Sequence, residues 1–334
     1  MVPHIGRRTL LSMLAGAFAS QETPVVGQEA SRLRRLGALI GLANDAEMQG
    51  RTKAFEQGLE AKGWLISRNI EILYRFANND TKRMREFAQE IVSLRPDCIL
   101  AHSTPVNAEL KKLTSTIPVV FVSVSDPIGS GFVASMARPG GNMTGFTIHQ
   151  QTITSKHLSI LKELVPRLSQ VVALYNPGTA PGGGSFFLSS FVNAAAEFNV
   201  KAINAQVYTE TDIARVFRDA ATQGTSGMVV MPDNFTTFYR THIISLAARF
   251  QVPTIYPYRY FVDEGGLLSL GVDGADLFKR ASDYVDRILR GATAAELPVQ
   301  RPTKVELAIN LRTARALGLE VPRILLAGAD VVIE

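Results

Sequence analysis

The stretch IPVVFVSVSDPIGSGFVASMARPGGNMTGFT, residues 117–147, decides the fold. Pro118 fixes the entry, and Val119 to Val124 is a short β-branched and aromatic apolar run. A run of that length bounded by turn formers reads as a strand buried on both faces of a parallel sheet. Ser125-Asp126-Pro127 ends it, because short polar side chains meet a proline that cannot continue a ladder. In open α/β sheets, ligands bind just beyond the carboxyl ends of the strands, which puts Ser125 and Asp126 where contact would be made. Arg138-Pro-Gly-Gly-Asn-Met-Thr-Gly is too glycine-rich for a helix and reads as a turn feeding a strand edge.

Upstream, residues 35–42 read as a strand, Asn44-Asp45 as a cap, and 46–62 as an amphipathic helix with Phe55 and Leu59 on one face. A strand at 69–76 follows, then a helix from Asp80 to about Leu94, a strand at 97–101 and a helix at 106–115. This βαβαβαβ order is that of a parallel sheet with right-handed crossovers. Downstream the pattern starts again: helix 151–165, strand 170–175, helix 186–198, strand 200–207, helix 211–223, strand 227–231, helix 235–250 and strand 253–256. A strand at 267–272, a long helix capped by Asp273, a strand at 304–309 and a helix at 311–317 complete the chain. Two similar halves predict an α/β fold of two doubly wound parallel-sheet lobes.

At 334 residues, 46% hydrophobic and 19% charged, the chain has the length for two domains. Its first thirty residues read differently. Arg7-Arg8 precedes the apolar run Leu10 to Phe18, which closes on Ala17-Phe18-Ala19. That is the pattern of a secretory signal cleaved after Ala19, and the paired arginines leave twin-arginine export equally open. The apolar run is too short to span a bilayer. Loss of residues 1–19 takes the net charge from +5 to +3, with no block of like charge to bind nucleic acid or a membrane surface. The single cysteine, Cys98, excludes an intrachain disulfide and a lipid-bearing cysteine at the signal junction, and it falls within an apolar strand.

Enzyme readings find little support. The five histidines are His4, His102, His149, His157 and His242, scattered without metal-ligand spacing. There is no Gly-x-Ser-x-Gly elbow and no Walker loop. Gly178 to Ser185 is the nearest phosphate cradle, but it lacks the dinucleotide register and reads as a cleft-rim loop. No catalytic residue, metal or cofactor is expected. Instead, polar residues recur just after strands: Ser103-Thr104, Ser125-Asp126, Asn176, Asp233-Asn234 and Asp273. Each suits an N-cap and each suits a ligand contact. Tyr256, Tyr258, Tyr260 and Phe261 form an aromatic cluster that either stacks on a planar ligand or packs the surface between lobes, with Arg259 among them as a partner for an acidic ligand. Trp64 reads as core.

DPIGSGFVASMARPGGNMTGF closely resembles the central signature of a family of periplasmic solute-binding proteins of ATP-binding-cassette (ABC) importers. The resemblance runs from RRLGALIGLA (34–43) to LLAGADVVIE (325–334), and the better-understood members are similar to tryptophan- or tyrosine-type amino-acid binders. It implies a type I periplasmic binding protein fold, whose tail crosses back into the first domain so that a three-strand hinge joins two lobes around one cleft. The implied divisions are a signal peptide and linker at 1–30, an N-terminal lobe of 31–148 plus roughly 273–302, and a C-terminal lobe of 149–272 plus roughly 303–334. It implies a periplasmic monomer that binds an amino acid or another small carboxylate and delivers it to an inner-membrane ABC permease. By position in the family's motifs, ligand contacts fall at Asn44, Ser103, Thr104, Ser125, Asp126, Asn176, Asp233, Tyr256 and Asp273, with Tyr258 added from the aromatic cluster. Many relatives have Gly-Thr-Pro where this chain has His102-Ser103-Thr104-Pro105, a change that bears on ligand preference. A sensing receptor that signals to a membrane partner is the alternative reading. A lactose-repressor-like regulator would need an N-terminal helix-turn-helix, and a Rossmann-type enzyme rests on fold analogy alone.

Overall fold

A computed structural model describes residues 32–148, 153–223 and 225–334. The signal segment with its cleavage after Ala19, and His149, lie outside the described residues. The first sheet is built from β1 (Arg34–Ile40), β2 (Ile70–Phe76), β3 (Cys98–His102), β4 (Val119–Val124) and β5 (Met143–Thr147), with α1 (Ala46–Glu60), α2 (Thr81–Ser93) and α3 (Thr104–Leu113) between them. Its order is β2-β1-β3-β4-β5 and all its pairs are parallel. β4 holds the position its apolar run predicts, and Val119 to Val122 are fully buried. β5 is an edge strand that approaches β4 at Gly145. There a Cβ would stand 2.0 Å from the Phe121 carbonyl oxygen, so only glycine fits.

The second sheet collects α4 (Ile153–Leu164), β6 (Gln170–Tyr175), α5 (Ser185–Glu197), β7 (Lys201–Gln206), α6 (Glu210–Thr222), β8 (Ser226–Val230), α7 (Asn234–Phe238), α8 (Arg240–Phe250), β9 (Thr254–Tyr256), α9 (Arg259–Asp263) and β10 (Leu268–Gly271). The chain then forms α10 (Gly274–Leu289), β11 (Glu306–Asn310), α11 (Leu311–Ala316), α12 (Arg323–Ala327) and β12 (Val331–Ile333). Strand order is β12-β11-β10-β9-β8-β6-β7, with only the β10–β11 pair antiparallel.

α10 lies over the first sheet. Phe278, Ala281 and Val285 share a core with Leu36, Phe55 and Val120. Gly58 of α1 sets the approach of the two helices, since a Cβ there would fall 2.2 Å from Ser282 Oγ. The chain after α10 stays with this lobe: the Thr144 hydroxyl donates to the Leu297 carbonyl at 2.6 Å, and Phe146 bridges to Gln300. β11 and β12 then join the second sheet.

Several elements depart from the sequence reading. The helix expected over 235–250 divides at Tyr239, whose ring packs on Phe235 at 4.6 Å and Phe238 at 5.0 Å while its backbone (φ −90°, ψ 17°) leaves the helical range. α3 begins at Thr104 rather than 106, with Pro105 in its first turn where a missing N–H costs nothing. α9 and α12 each have 5 residues, too few for a 3.6-residue period to register. Cys98 is a buried strand residue, and burial pushes its thiol up to about 12.

Candidate functional site

The carboxyl ends of β3 and β4 face the start of α7 across a cleft. Ser103 follows β3 with φ 84° and ψ 155°, a region almost reserved for glycine. Its hydroxyl accepts from Asn234 Nδ2 at 3.1 Å, joining the lobes. Gly41 makes room for that contact: a Cβ there would stand 2.5 Å from Asn234 Nδ2 and 2.6 Å from Ser103 Oγ. Ser123, also in the cleft, has φ 59° at the bulge where the β4–β5 register shifts. Asp45 and Arg240 add a second tie, with Arg240 Nη2 donating to Asp45 at 2.9 Å and Nε to Glu264 at 2.7 Å.

Two contiguous chambers lie between the lobes. One, of about 360 Å³, is polar and is lined by Arg51, His102, Ser103, Thr104, Asp233 and Asn234 among others. The other, of about 560 Å³, is mainly apolar, with Ile153, Phe187, Met231, Leu270 and Val272 on its walls. Ser125, Pro232 and Tyr258 belong to both.

Arg51 enters the polar chamber from α1 with its side chain only 4% exposed. Its Nε donates to Glu47 at 3.0 Å, and its Cζ lies 5.8 Å from the Tyr258 ring centre and 5.3 Å from that of Tyr260. Burial alone would lower the guanidinium pKa, but Tyr260, Glu47 and Tyr258 hold it above the ordinary value, so the charge persists. His102 is neutral: burial and then Arg51 push it down to about 3, and its Nδ1 has no hydrogen-bond partner among the described residues. His157 is pushed down to about 4 by burial, and its Nε2–H donates to the Leu270 carbonyl at 2.8 Å. Asp233 caps α7 and accepts from Thr236 N at 2.8 Å, Asn176 N at 3.0 Å and Thr179 Oγ1 at 3.1 Å. Burial raises its carboxyl to about 6 against the pull of those hydrogen bonds.

Of the residues expected at the site, Ser103, Thr104, Ser125, Asp233 and Tyr258 line the cleft together. The others sit elsewhere. Asn176 stands behind Asp233, donating its N–H to that carboxylate and accepting from Gly178 N at 2.7 Å. Asp126 closes its own turn by accepting from Gly129 N at 2.8 Å. Asn44 is exposed, and its carbonyl accepts from Gln49 Nε2 at 3.2 Å. Tyr256 is 1% exposed in the core of the second lobe, stacked on Phe261 at 5.1 Å, because its strand is buried on both faces. Asp273 caps α10 through Ala275 N and Asp276 N and opens onto an outer groove with Arg259, which pairs with Asp263 and Glu306. Trp64 is half-buried and donates to Asp286 at 2.8 Å.

Sequence reasoning passed over Arg51, His102 as a wall residue, Asn234 as an interlobe contact, and His157. Arg51 carried a signal: it lies four residues before Phe55 and eight before Leu59, on the apolar stripe of α1 rather than its wet face.

The ABC transporter substrate binding protein family matches residues 38–333. The chain belongs to that family. Its similarity to a tyrosine-binding protein of Clostridioides difficile is 25% identity over 314 residues, covering 93% of this chain and 89% of the relative. A solved structure of a conserved domain protein from Vibrio cholerae superposes with a TM-score of 0.84 at 25% identity, covering 90% of this chain and 100% of the other. An ABC domain from Streptococcus pneumonia, solved in complex with L-Trp, gives 0.83 at 23% identity, covering 90% and 99%. Family members with this two-lobed fold are solute-binding proteins rather than enzymes. Among the described residues no group of three or more His, Cys, Asp or Glu is arranged to hold a metal, and no helix is long and apolar enough to cross a membrane.

Proposed function

We propose that this family member is an exported receptor that takes a small molecule, an amino acid or aromatic carboxylate, into the cleft between its lobes and delivers it to an inner-membrane ABC permease. The observation that carries the reading is the pair of joined chambers: a polar one holding buried Arg51 and Asp233, and an apolar one walled by Phe187, Met231 and Leu270. A polar head and an apolar body have adjoining places there. The tyrosine-binding relative and the relative solved with L-Trp support an amino acid or a close analogue.

In this reading the segments 31–148 plus roughly 273–302 form one lobe and 149–272 plus roughly 303–334 the other. Ser103, Thr104, Ser125, Asp233 and Tyr258 contact the solute, which stabilises the closed form through interactions available only when the lobes meet. The mature chain begins after Ala19, resides in the periplasm and works as a monomer. Thermal unfolding of residues 20–334 against amino acids, aromatic acids, sugars and nucleotides tests it. A ligand at a hundredfold excess over its dissociation constant adds about 2.7 kcal/mol, a readily measured rise in the midpoint. A rise with amino or aromatic acids is expected. A rise with nucleotides alone, or none across the panel, overturns the proposal.

A further inference from the structure

We propose that Arg51 anchors the carboxylate of the solute, and that the cleft selects an amphipathic carboxylate lacking an α-ammonium group over the corresponding amino acid. The inference rests on the receptor reading above and narrows its substrate class.

Arg51 is buried, charged and only partly satisfied. Glu47 accepts from its Nε–H and is itself 38% exposed, while the two terminal nitrogens donate no hydrogen bond to a described residue. The Tyr258 and Tyr260 rings lie against the guanidinium, and Gly274 at the start of α10 leaves space for it: a Cβ there would come within 2.6 Å of Cζ. A buried cation is stable only when paired, and a guanidinium held by its Nε presents the remaining fork that a carboxylate fills with two parallel hydrogen bonds. Ser103 and Thr104, beside it, offer hydroxyls to the same head group.

An ammonium group finds no free anionic partner among the described residues that line the chambers. It brings three donors and needs acceptors for them. Among the described residues, Asp233 is the only acid lining either chamber, and both its oxygens already accept from Asn176, Thr179 and Thr236 of its own lobe. The remaining acceptors on the polar chamber are uncharged, among them the unpartnered Nδ1 of neutral His102 and the hydroxyls of Ser103, Thr104 and Ser125, and they hold an ammonium more weakly than a carboxylate does. The apolar chamber beyond Tyr258 receives the body of the solute, against Phe187 and Leu270.

Isothermal titration of residues 20–334 with tyrosine and tryptophan, with the propionic acids that lack their amino group, and with the primary amides of those acids separates the possibilities. At least one acid is expected to bind ten-fold or more tighter than both its amino acid and its amide. Arg51→Gln should reduce that affinity at least ten-fold with the unfolding midpoint retained. An amino acid that binds as tightly as its acid overturns the selectivity and leaves the receptor reading standing. An amide equal to its acid overturns the anchor without recourse to any variant. If none of the six compounds binds, the inference falls, whereas the receptor reading falls only if the wider panel is also silent.

Discussion

Ser103 carries a cost and a benefit in one residue. Its backbone (φ 84°, ψ 155°) lies where non-glycine residues are strained by about 1–3 kcal/mol, and its hydroxyl links the lobes through Asn234. Glycine at this position would be free of that strain. Ser103→Gly should therefore gain about 1 kcal/mol in urea unfolding, after the entropy of a looser unfolded chain is subtracted, and bind solute several-fold more weakly by titration. Histidine burial sets a pH dependence. His102 and His157 fall to about 3 and about 4 when folded, so below pH 6.5 the unfolded chain takes up protons that the native state refuses. Stability is full above that pH and declines as it falls, by about 2 kcal/mol per histidine at pH 5. Asp233, raised to about 6, works in the opposite direction, favouring the native state as pH drops from 6 towards 4. His157→Gln keeps a donor for Leu270, and its urea-unfolding free energy should lose one histidine's share of the acid decline. At this scale the sequence was least legible, because capping and ligand contact recruit the same side chains. Asp126 and Asp273 satisfy nearby backbone N–H groups, while Asp233 does so at the cleft, and nothing local distinguishes them.

Elements were easier to read. β4 and its neighbours announce themselves by apolar runs between turn formers, and α1 by its stripe of Phe55 and Leu59. Short helices such as α9 left no periodic trace, and the pairing of α1 with α10 joins residues more than 200 positions apart, as the Trp64–Asp286 hydrogen bond does. That pairing depends on Gly58, over which Ser282 and the Lys279 carbonyl pass at 2.2 and 3.1 Å from the site of a Cβ. Alanine is the better helix former by about 1 kcal/mol, yet overpacking at a rigid helix crossing costs about 1–3 kcal/mol. Gly58→Ala should thus lower the denaturant midpoint despite its improved propensity. A raised midpoint would mean that α10 yields readily.

Across the whole molecule, closure rests on few polar ties. Asp45 serves two ends at once: Oδ1 caps α1 at Met48 N, and Oδ2 pairs with Arg240 of the other lobe. Asp45→Asn retains the cap and removes the ionic tie, which for a partly exposed pair is worth about 0.5–1 kcal/mol. Solute affinity should fall about two- to five-fold, with little change in the unfolding midpoint and a larger radius of gyration in solution scattering of the solute-free protein. The chain's path has a further consequence. The first core is closed by Phe278, Val285 and Leu297, although its first strand is residue 34 onward. A nascent chain emerging from the ribosome therefore holds an uncovered sheet until nearly the last tenth of the protein has been synthesised. A chain stopped near residue 270 should remain open to proteases at its earliest strands.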